Sequence, residues 1–256
     1  MSSTGEPDIP PLTPHTLLQA SQSLLLLLII ALFILTFVVQ PFRIPSASME
    51  PTLLVGDFLL VNKEIAVQHF HAVAPLNIHR GDVIVFHYPV NPSRDLIKRV
   101  VALPGDRIHL RDGRVFLNGQ PLAEPYAFYR TAPPDGYRDN FPSLSQADPA
   151  IDSHWWIQMH TLVSKSELTV PSGSYFVLGD NRNNSEDSRY WGLVPRNLII
   201  GKPFIIYFSM NIPNDEDEYI PSFRLQPPQT QQHSGPALLA SLLHLARWNR
   251  VLRIIR

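Results

Sequence analysis

Asp95-Leu-Ile-Lys-Arg-Val-Val-Ala-Leu-Pro-Gly-Asp106 is a short apolar run closed by a turn signal, and that form repeats through the middle of the chain. Ile97, Val100 and Val101 are β-branched, which favours a strand, and Pro104-Gly105 ends one. Upstream lie Phe58-Leu-Leu-Val-Asn62 and Asp82-Val-Ile-Val-Phe-His-Tyr88, the second entered through Arg80-Gly81. Downstream, Arg107 to Leu110 and Val115 to Leu117 flank Asp112-Gly113, a hairpin pair. Tyr175 to Leu178 and Leu198 to Phe208 complete the series. No long helical periodicity interrupts it, so the class is mainly β with an antiparallel core. Residues 124–160 are rich in Pro, Asp and aromatics, including Tyr126, Phe128, Tyr137, Phe141, Trp155 and Trp156. They read as an insertion whose rings pack a loop-rich subdomain.

Before the β series, Leu24 to Val39 is apolar apart from Thr36. Extended back to Ala20, it makes a helix of roughly 30 Å, the thickness of a bilayer core. A cleavable leader has a basic start and a core of about 7–15 residues. Here no Lys or Arg precedes the run and the core is longer, so the reading is one retained transmembrane helix over residues 20–40, ended by Pro41. Residues 1–19 form a polar, proline-containing tail. Arg43 is the nearest cation, and the positive-inside rule alone would place the following domain in the cytoplasm. Beyond the β series, residues 211–236 are acidic and then Pro/Gln-rich, a linker. Residues 237–256 space Arg247, Arg250 and Arg253 three apart among apolar residues, which predicts a basic amphipathic helix on a membrane surface or docked on the β domain.

Composition narrows the chemistry. The chain has 256 residues, a net charge of −1 and no cysteine. Nothing global points to nucleic acid, and a disulfide framework, thiolate metal sites and a cysteine nucleophile are excluded. No cofactor or metal is implied.

Three segments could carry a reaction. Ile44-Pro-Ser-Ala-Ser-Met-Glu-Pro-Thr-Leu-Leu-Val-Gly-Asp57 follows the span and holds Ser46 and Ser48 between two prolines that stiffen it. If the segment is extended, both hydroxyls share a face, and Ser48 could attack while Ser46 donates to an oxyanion. Serine needs a base. His69, His71, His79, His87, His109, His154 and His160 are scattered, each in an ordinary setting. Lys98 is the better candidate: in a strand it shares its face with Leu96 and Val100, and desolvation there lowers an amine's pKa. Arg99, on the other face, reads as a solvated or paired cation. Gly179-Asp-Asn-Arg-Asn-Asn-Ser-Glu-Asp-Ser-Arg-Tyr-Trp-Gly192 is a loop fixed by side-chain-to-backbone hydrogen bonds. It fails as a calcium loop: counted from Asp180, the sixth position is Ser185 and the twelfth Trp191.

Taken together and in this order, the three segments after an N-terminal span resemble those of bacterial type I signal peptidases, membrane-bound Ser-Lys leader peptidases. The similarity covers roughly residues 20–210. It implies Ser48 as nucleophile and Lys98 as general base. The Ser46 hydroxyl and the Ser48 N–H would form the oxyanion hole. Ser185 would orient Lys98, and Asp187 with Arg189 would support that loop. Ile44, Pro45, Met49, Leu53, Leu96 and Ile97 would build small apolar substrate pockets. The implied fold is an antiparallel β catalytic core, residues 41–107 and 171–210, with an inserted small β subdomain at 108–170. The implied partners are preproteins with small-x-small cleavage sites and the lipid bilayer; no obligate protein partner follows. The implied setting is the inner (cytoplasmic) membrane, single-pass, with the catalytic domain on the extracytoplasmic side, which overrides the lone Arg43. Asn183 departs from the family, where Asp is common. Two alternatives stand beside this one: a non-catalytic anchored β domain that binds extended peptides, and another Ser-Lys protease with one narrow protein substrate.

Overall fold

The computed structural model describes residues 14–33, 38–63, 77–145, 148–211 and 245–255. The first strands are β1 (Val39–Arg43), β2 (Asp57–Lys63), β3 (Val83–His87) and β4 (Asp95–Ala102). Next come β5 (Arg107–Arg111), β6 (Arg114–Leu117), β7 (Gln120–Pro121), β8 (Val163–Ser164) and β9 (Glu167–Thr169). The last are β10 (Ser174–Leu178), β11 (Val194–Pro195), β12 (Ile199–Ser209) and β13 (Arg253–Ile254). The larger sheet runs β1-β2-β12-β3-β4-β10-β11, with β13 added to β12. The smaller runs β7-β6-β5-β9-β8, all from residues 107–169. Every pairing within the two sheets is antiparallel.

The pattern in the sequence accounts for these strands. β3 is buried along Val83 to Phe86, and β4 passes from exposed Asp95 to a buried Val100-Val101-Ala102 end. The β5–β6 hairpin turns through Asp112 and Gly113, both at positive φ (49° and 76°), which the Asp-Gly pair tolerates. One core joins the sheets: Val101, Phe176 and Leu178 of the larger sheet pack with Ile108, Leu110, Val115 and Leu168 of the smaller. The aromatics of the insertion fill it. Tyr137, Phe141 and Trp155 are buried there, and Trp155 sits on α2 (Ser153–Leu162). That helix starts where the Asp152 carboxylate accepts the Trp155 N–H at 3.0 Å.

The ends of the chain depart from the sequence expectation. Helix α1 spans Pro14–Phe33, beginning inside the stretch read as a tail. Its first half is polar, and among the described residues no helix is long and apolar enough to cross a membrane. Residues 34–37 of the expected span lie outside the described residues. Pro41 does not end the helix. It lies within β1, an edge strand, where a missing N–H is tolerated. At the other end, residues 246–255 form no amphipathic helix. Trp248–Arg250 make a 3₁₀ turn and Arg253–Ile254 form β13. Of the two expected placements the segment takes the one docked on the β domain: Arg250 is buried against Asp57, so its charge serves an internal ion pair. Residues 212–244, which hold most of the expected linker, lie outside the described residues.

Candidate active site

The loop between β1 and β2 carries both serines. Its neck is pinched by Ile44 N–H to Asp57 O (2.9 Å) and Gly56 N–H to Ile44 O (3.0 Å). Ser46 is extended, but Ala47–Met49 form a 3₁₀ turn, so the serines are not neighbours on one strand face. Their hydroxyls still meet at 3.4 Å, because the turn folds Ser48 back toward Ser46. Ser48 is second in that turn, so its N–H has no acceptor within the turn. Asn181 clamps the same peptides: its N–H donates to Ser48 O (3.0 Å) and its Nδ2 to Ala47 O (3.2 Å).

Lys98 approaches from β4. Its Nζ donates to Ser48 Oγ at 2.6 Å, and it is only 4% exposed. Burial lowers its pKa to about 8; Asp187 and Glu186 pull it upward and Arg189 pushes it further down. An amine that sheds its proton there can accept the proton of the hydroxyl it now bonds.

The Gly179–Gly192 loop walls this pair. Asp187 is fully buried and accepts Gly179 N–H (3.1 Å), Ser185 Oγ–H (2.8 Å) and a two-pronged contact from Arg189 (2.8 Å each). Burial alone would raise the Asp187 carboxyl. The Arg189 charge, with the hydrogen bonds from Arg189 and Gly179, outweighs it and holds the group below its ordinary value. The expected bond from Ser185 to Lys98 is not made. The Ser185 hydroxyl is turned to Asp187, the stronger acceptor, and Ser185 instead lines the cleft beside Lys98. Gly179 is required at this crossing. A Cβ there would lie 2.3 Å from Ser185 Oγ and 2.5 Å from Ser48 O. Asn183 donates to Arg130 O at 2.6 Å, a bond that Asp could not make.

Sequence reasoning missed a second layer of charge. Of the two expected settings Arg99 takes the paired one: it is 2% exposed and grips Asp180 through Nε (2.8 Å) and Nη2 (2.7 Å). Thr52 Oγ1 donates to the same carboxylate at 2.5 Å, and the Tyr126 ring covers the guanidinium at 4.1 Å. Arg182 is likewise held by Glu124 at 2.8 and 2.6 Å. Alternation in β4 puts Arg99 on the face opposite Lys98, and the insertion carrying Tyr126 covers that face. No local signal in the sequence reports such a cover.

A cleft of about 610 Å³ opens over the pair. Ser46, Ser48, Leu96, Lys98 and Ser185 line it with Tyr88, Asp135, Asp148, Glu186 and Tyr190. Among the described residues, no histidine lines it. The residues expected to shape substrate pockets divide. Leu96 faces the cleft and Pro45 is exposed, while Ile97 points to the other side of β4. Ile44, Met49 and Leu53 are at most 2% exposed. They form, with Leu59, Val83 and Ile206, an apolar floor under the serine loop and not an open wall.

A family model described as signal peptidase, peptidase S26, matches residues 17–208. The chain belongs to this family. Membership makes it a serine peptidase of the signal-peptide-cleaving class. Signal peptidase I of Pseudomonas aeruginosa is 36% identical over 223 residues, covering 81% of this chain and 77% of that one. Signal peptidase I of Aquifex aeolicus is 38% identical over 223 residues, covering 75% and 84%. A solved signal peptidase I from Enterococcus faecalis V583 shares 32% identity, covering 50% of this chain and 98% of that chain with a TM-score of 0.37. In this peptidase the match takes in the serine loop, β4 and the Gly179–Gly192 loop, and stops just short of the end of β12.

Proposed function

We propose that this peptidase removes signal peptides through an acyl-enzyme on Ser48, with Lys98 as the proton carrier. The observation that carries the reading is the 2.6 Å contact between a buried amine and a serine hydroxyl at the base of an open cleft. Neutral Lys98 takes the Ser48 proton as Oγ adds to the scissile carbonyl carbon. The Ser46 hydroxyl and the Ser48 N–H meet the developing oxyanion. The C–N bond then breaks and Lys98 returns its proton to the leaving amine. A water molecule, deprotonated by Lys98, adds to the ester carbon; the C–O bond then breaks and Lys98 returns the proton to Ser48 Oγ. Asp187 and Arg189 hold the loop that walls the amine, and Asp187 tempers how far burial depresses Lys98.

The preferred substrates are preproteins with small residues at the first and third positions before the cut. Leu96 lines the cleft beside the reactive pair, and Ile97 packs from the other side of β4 into a floor that is already filled by Ile44, Met49 and Leu53. A filled floor leaves shallow space, and large side chains are rejected by clash. The catalytic domain acts on the extracytoplasmic side of the inner membrane, tethered by a single N-terminal span, where cleavage sites emerge. The test is the full chain in detergent with a preprotein, the new N-terminus being read by mass spectrometry. A single cut after small-x-small, absent in Ser48→Ala, is expected. Equal cutting after Phe or Leu, or cutting by Ser48→Ala, would overturn the reading.

A further inference from the structure

The C-terminal segment lies outside the stretch that carries the family match, yet it is built into the floor of the site. Residues 245–255 run antiparallel along β12, through Asn211 N–H to Leu245 O (2.7 Å), Arg247 N–H to Ser209 O (2.9 Å), Leu252 N–H to Ile206 O (2.7 Å) and Ile255 N–H to Phe204 O (3.1 Å). This strap presents Arg250 inward, 5% exposed. Its Nε and Nη2 reach Asp57 at 3.1 and 2.6 Å, and Nη2 also donates to Thr52 O at 3.0 Å. Asp57 is fully buried and accepts Ser209 Oγ–H (2.6 Å) and Leu54 N–H (2.8 Å) as well. Arg247 adds contacts to Val55 O and Met210 O.

These partners are not scattered. Thr52, Leu54, Val55 and Asp57 form the returning half of the loop whose outgoing half holds Ser46 and Ser48. From Thr52 the contacts continue through its hydroxyl to Asp180, and from Asp180 to Arg99, the residue after Lys98. Asn181, next to Asp180, holds the Ala47 and Ser48 carbonyls. One line of charge-assisted hydrogen bonds therefore ties the strap to both reactive groups. We infer that Arg250 is a positioning residue for peptide cleavage, fixing the serine loop against β4 so that Ser48 Oγ stays in reach of Lys98. The inference rests on the reading of Ser48 and Lys98 given above. A lysine could not substitute fully, since it lacks the planar fork that spans both Asp57 oxygens and the Thr52 carbonyl.

A misplacement of about 1 Å at a reacting atom costs on the order of 10²-fold in rate. The experiment compares the full chain with Arg250→Met, Arg250→Lys and Thr52→Val in detergent, on one preprotein, with rates normalised to folded enzyme. Arg250→Met should lower kcat on the order of 10²-fold with KM within about threefold, and Arg250→Lys should recover part of the loss. Thr52→Val leaves the strap in place and removes only the hydroxyl that donates to Asp180 and accepts from Arg99 at 3.4 Å, so it should lower kcat with little change in Tm, and it decides the matter if an Arg250 variant does not fold. The charged groups that bear most on the Lys98 amine are Asp187, Glu186, Arg189 and Asp180, and Arg250 pairs with Asp57 instead. The pH limb of the rate should therefore stay where it is while the plateau falls. A kcat per folded molecule within about twofold of the parent, in the Arg250 variants or in Thr52→Val, would reduce the strap to a structural clip and overturn the inference. So would a limb displaced toward the free-lysine range. If the parent itself leaves the preprotein uncut, the proposed function fails; if the parent cuts and the variants match it, only the role of Arg250 fails.

Discussion

Lys98 is buried, and that has two measurable consequences. With its pKa lowered from 10.5 to about 8, about one amine in eleven is neutral at pH 7, against about one in three thousand for a free side chain. Burial thus multiplies the competent base about 300-fold at that pH. The rate should climb tenfold per pH unit below about 8 and level off above about 9. The same shift costs stability. The charged amine is disfavoured in the fold by about 3 kcal/mol. The sign follows from proton binding. Between pH 8 and 10.5 the unfolded chain holds the proton and the folded chain does not, so stability rises with pH there. Below about 8 the full cost is present, and above 10.5 it is gone. Lys98→Met removes the cost and also the bond to Ser48, worth about 1 kcal/mol. The inactive variant should be about 2 kcal/mol more stable than the parent at pH 7, with the advantage vanishing just below about pH 10 and reversing above it. Urea unfolding across pH 6–10, beside the rate–pH profile, checks both. An activity limb near the free-lysine pKa, cleavage by Lys98→Arg, or a Lys98→Met variant no more stable at pH 7 than at high pH would refute the reasoning.

Other substitutions probe the surroundings. Ser46→Ala removes the hydroxyl 3.4 Å from Ser48 Oγ and should lower kcat on the order of 10²-fold with little change in KM, read from steady-state cleavage of a preprotein. Asp187→Asn strands the buried Arg189 and should cost about 3–5 kcal/mol in urea unfolding. Because Asp187 raises the Lys98 pKa, the activity limb of any folded Asp187→Asn enzyme should move to lower pH. Asn183→Asp loses its bond to Arg130 O and should cost about 1 kcal/mol while leaving kcat within about threefold, as a thermal melt and a cleavage assay would show.

Strand after strand was legible because each is local: an apolar run of strand length, bounded by Pro, Gly or Asp, and half-buried by alternation. Asp112-Gly113 carries its turn conformation in its own chemistry. The Leu96–Val100 face of Lys98 could be read from the period of a strand. Ser46 and Ser48 were recognisable as a pair, but their geometry was not. A 3₁₀ turn, held by Asn181 from more than a hundred residues away, brings the hydroxyls together where a strand was expected.

What the residues near Lys98 do for one another was decided only by the tertiary structure. Arg99 alternates outward along β4, yet Tyr126 from the insertion covers it and Asp180 neutralises it. Ser185 could have served Lys98, but a buried Asp187 competes for its proton and wins. The C-terminal arginines read as one stripe of a helix, on a membrane surface or docked on the β domain, because their spacing is helical. Arg250 instead ends 193 residues along the chain from its carboxylate partner, Asp57, in a strap that completes the floor of the site. Local sequence sets the period and the turn. It carries no record of which distant carboxylate will meet a given cation, because that pairing depends on the sheet bringing both into one buried space, where an unpaired charge is too costly to leave.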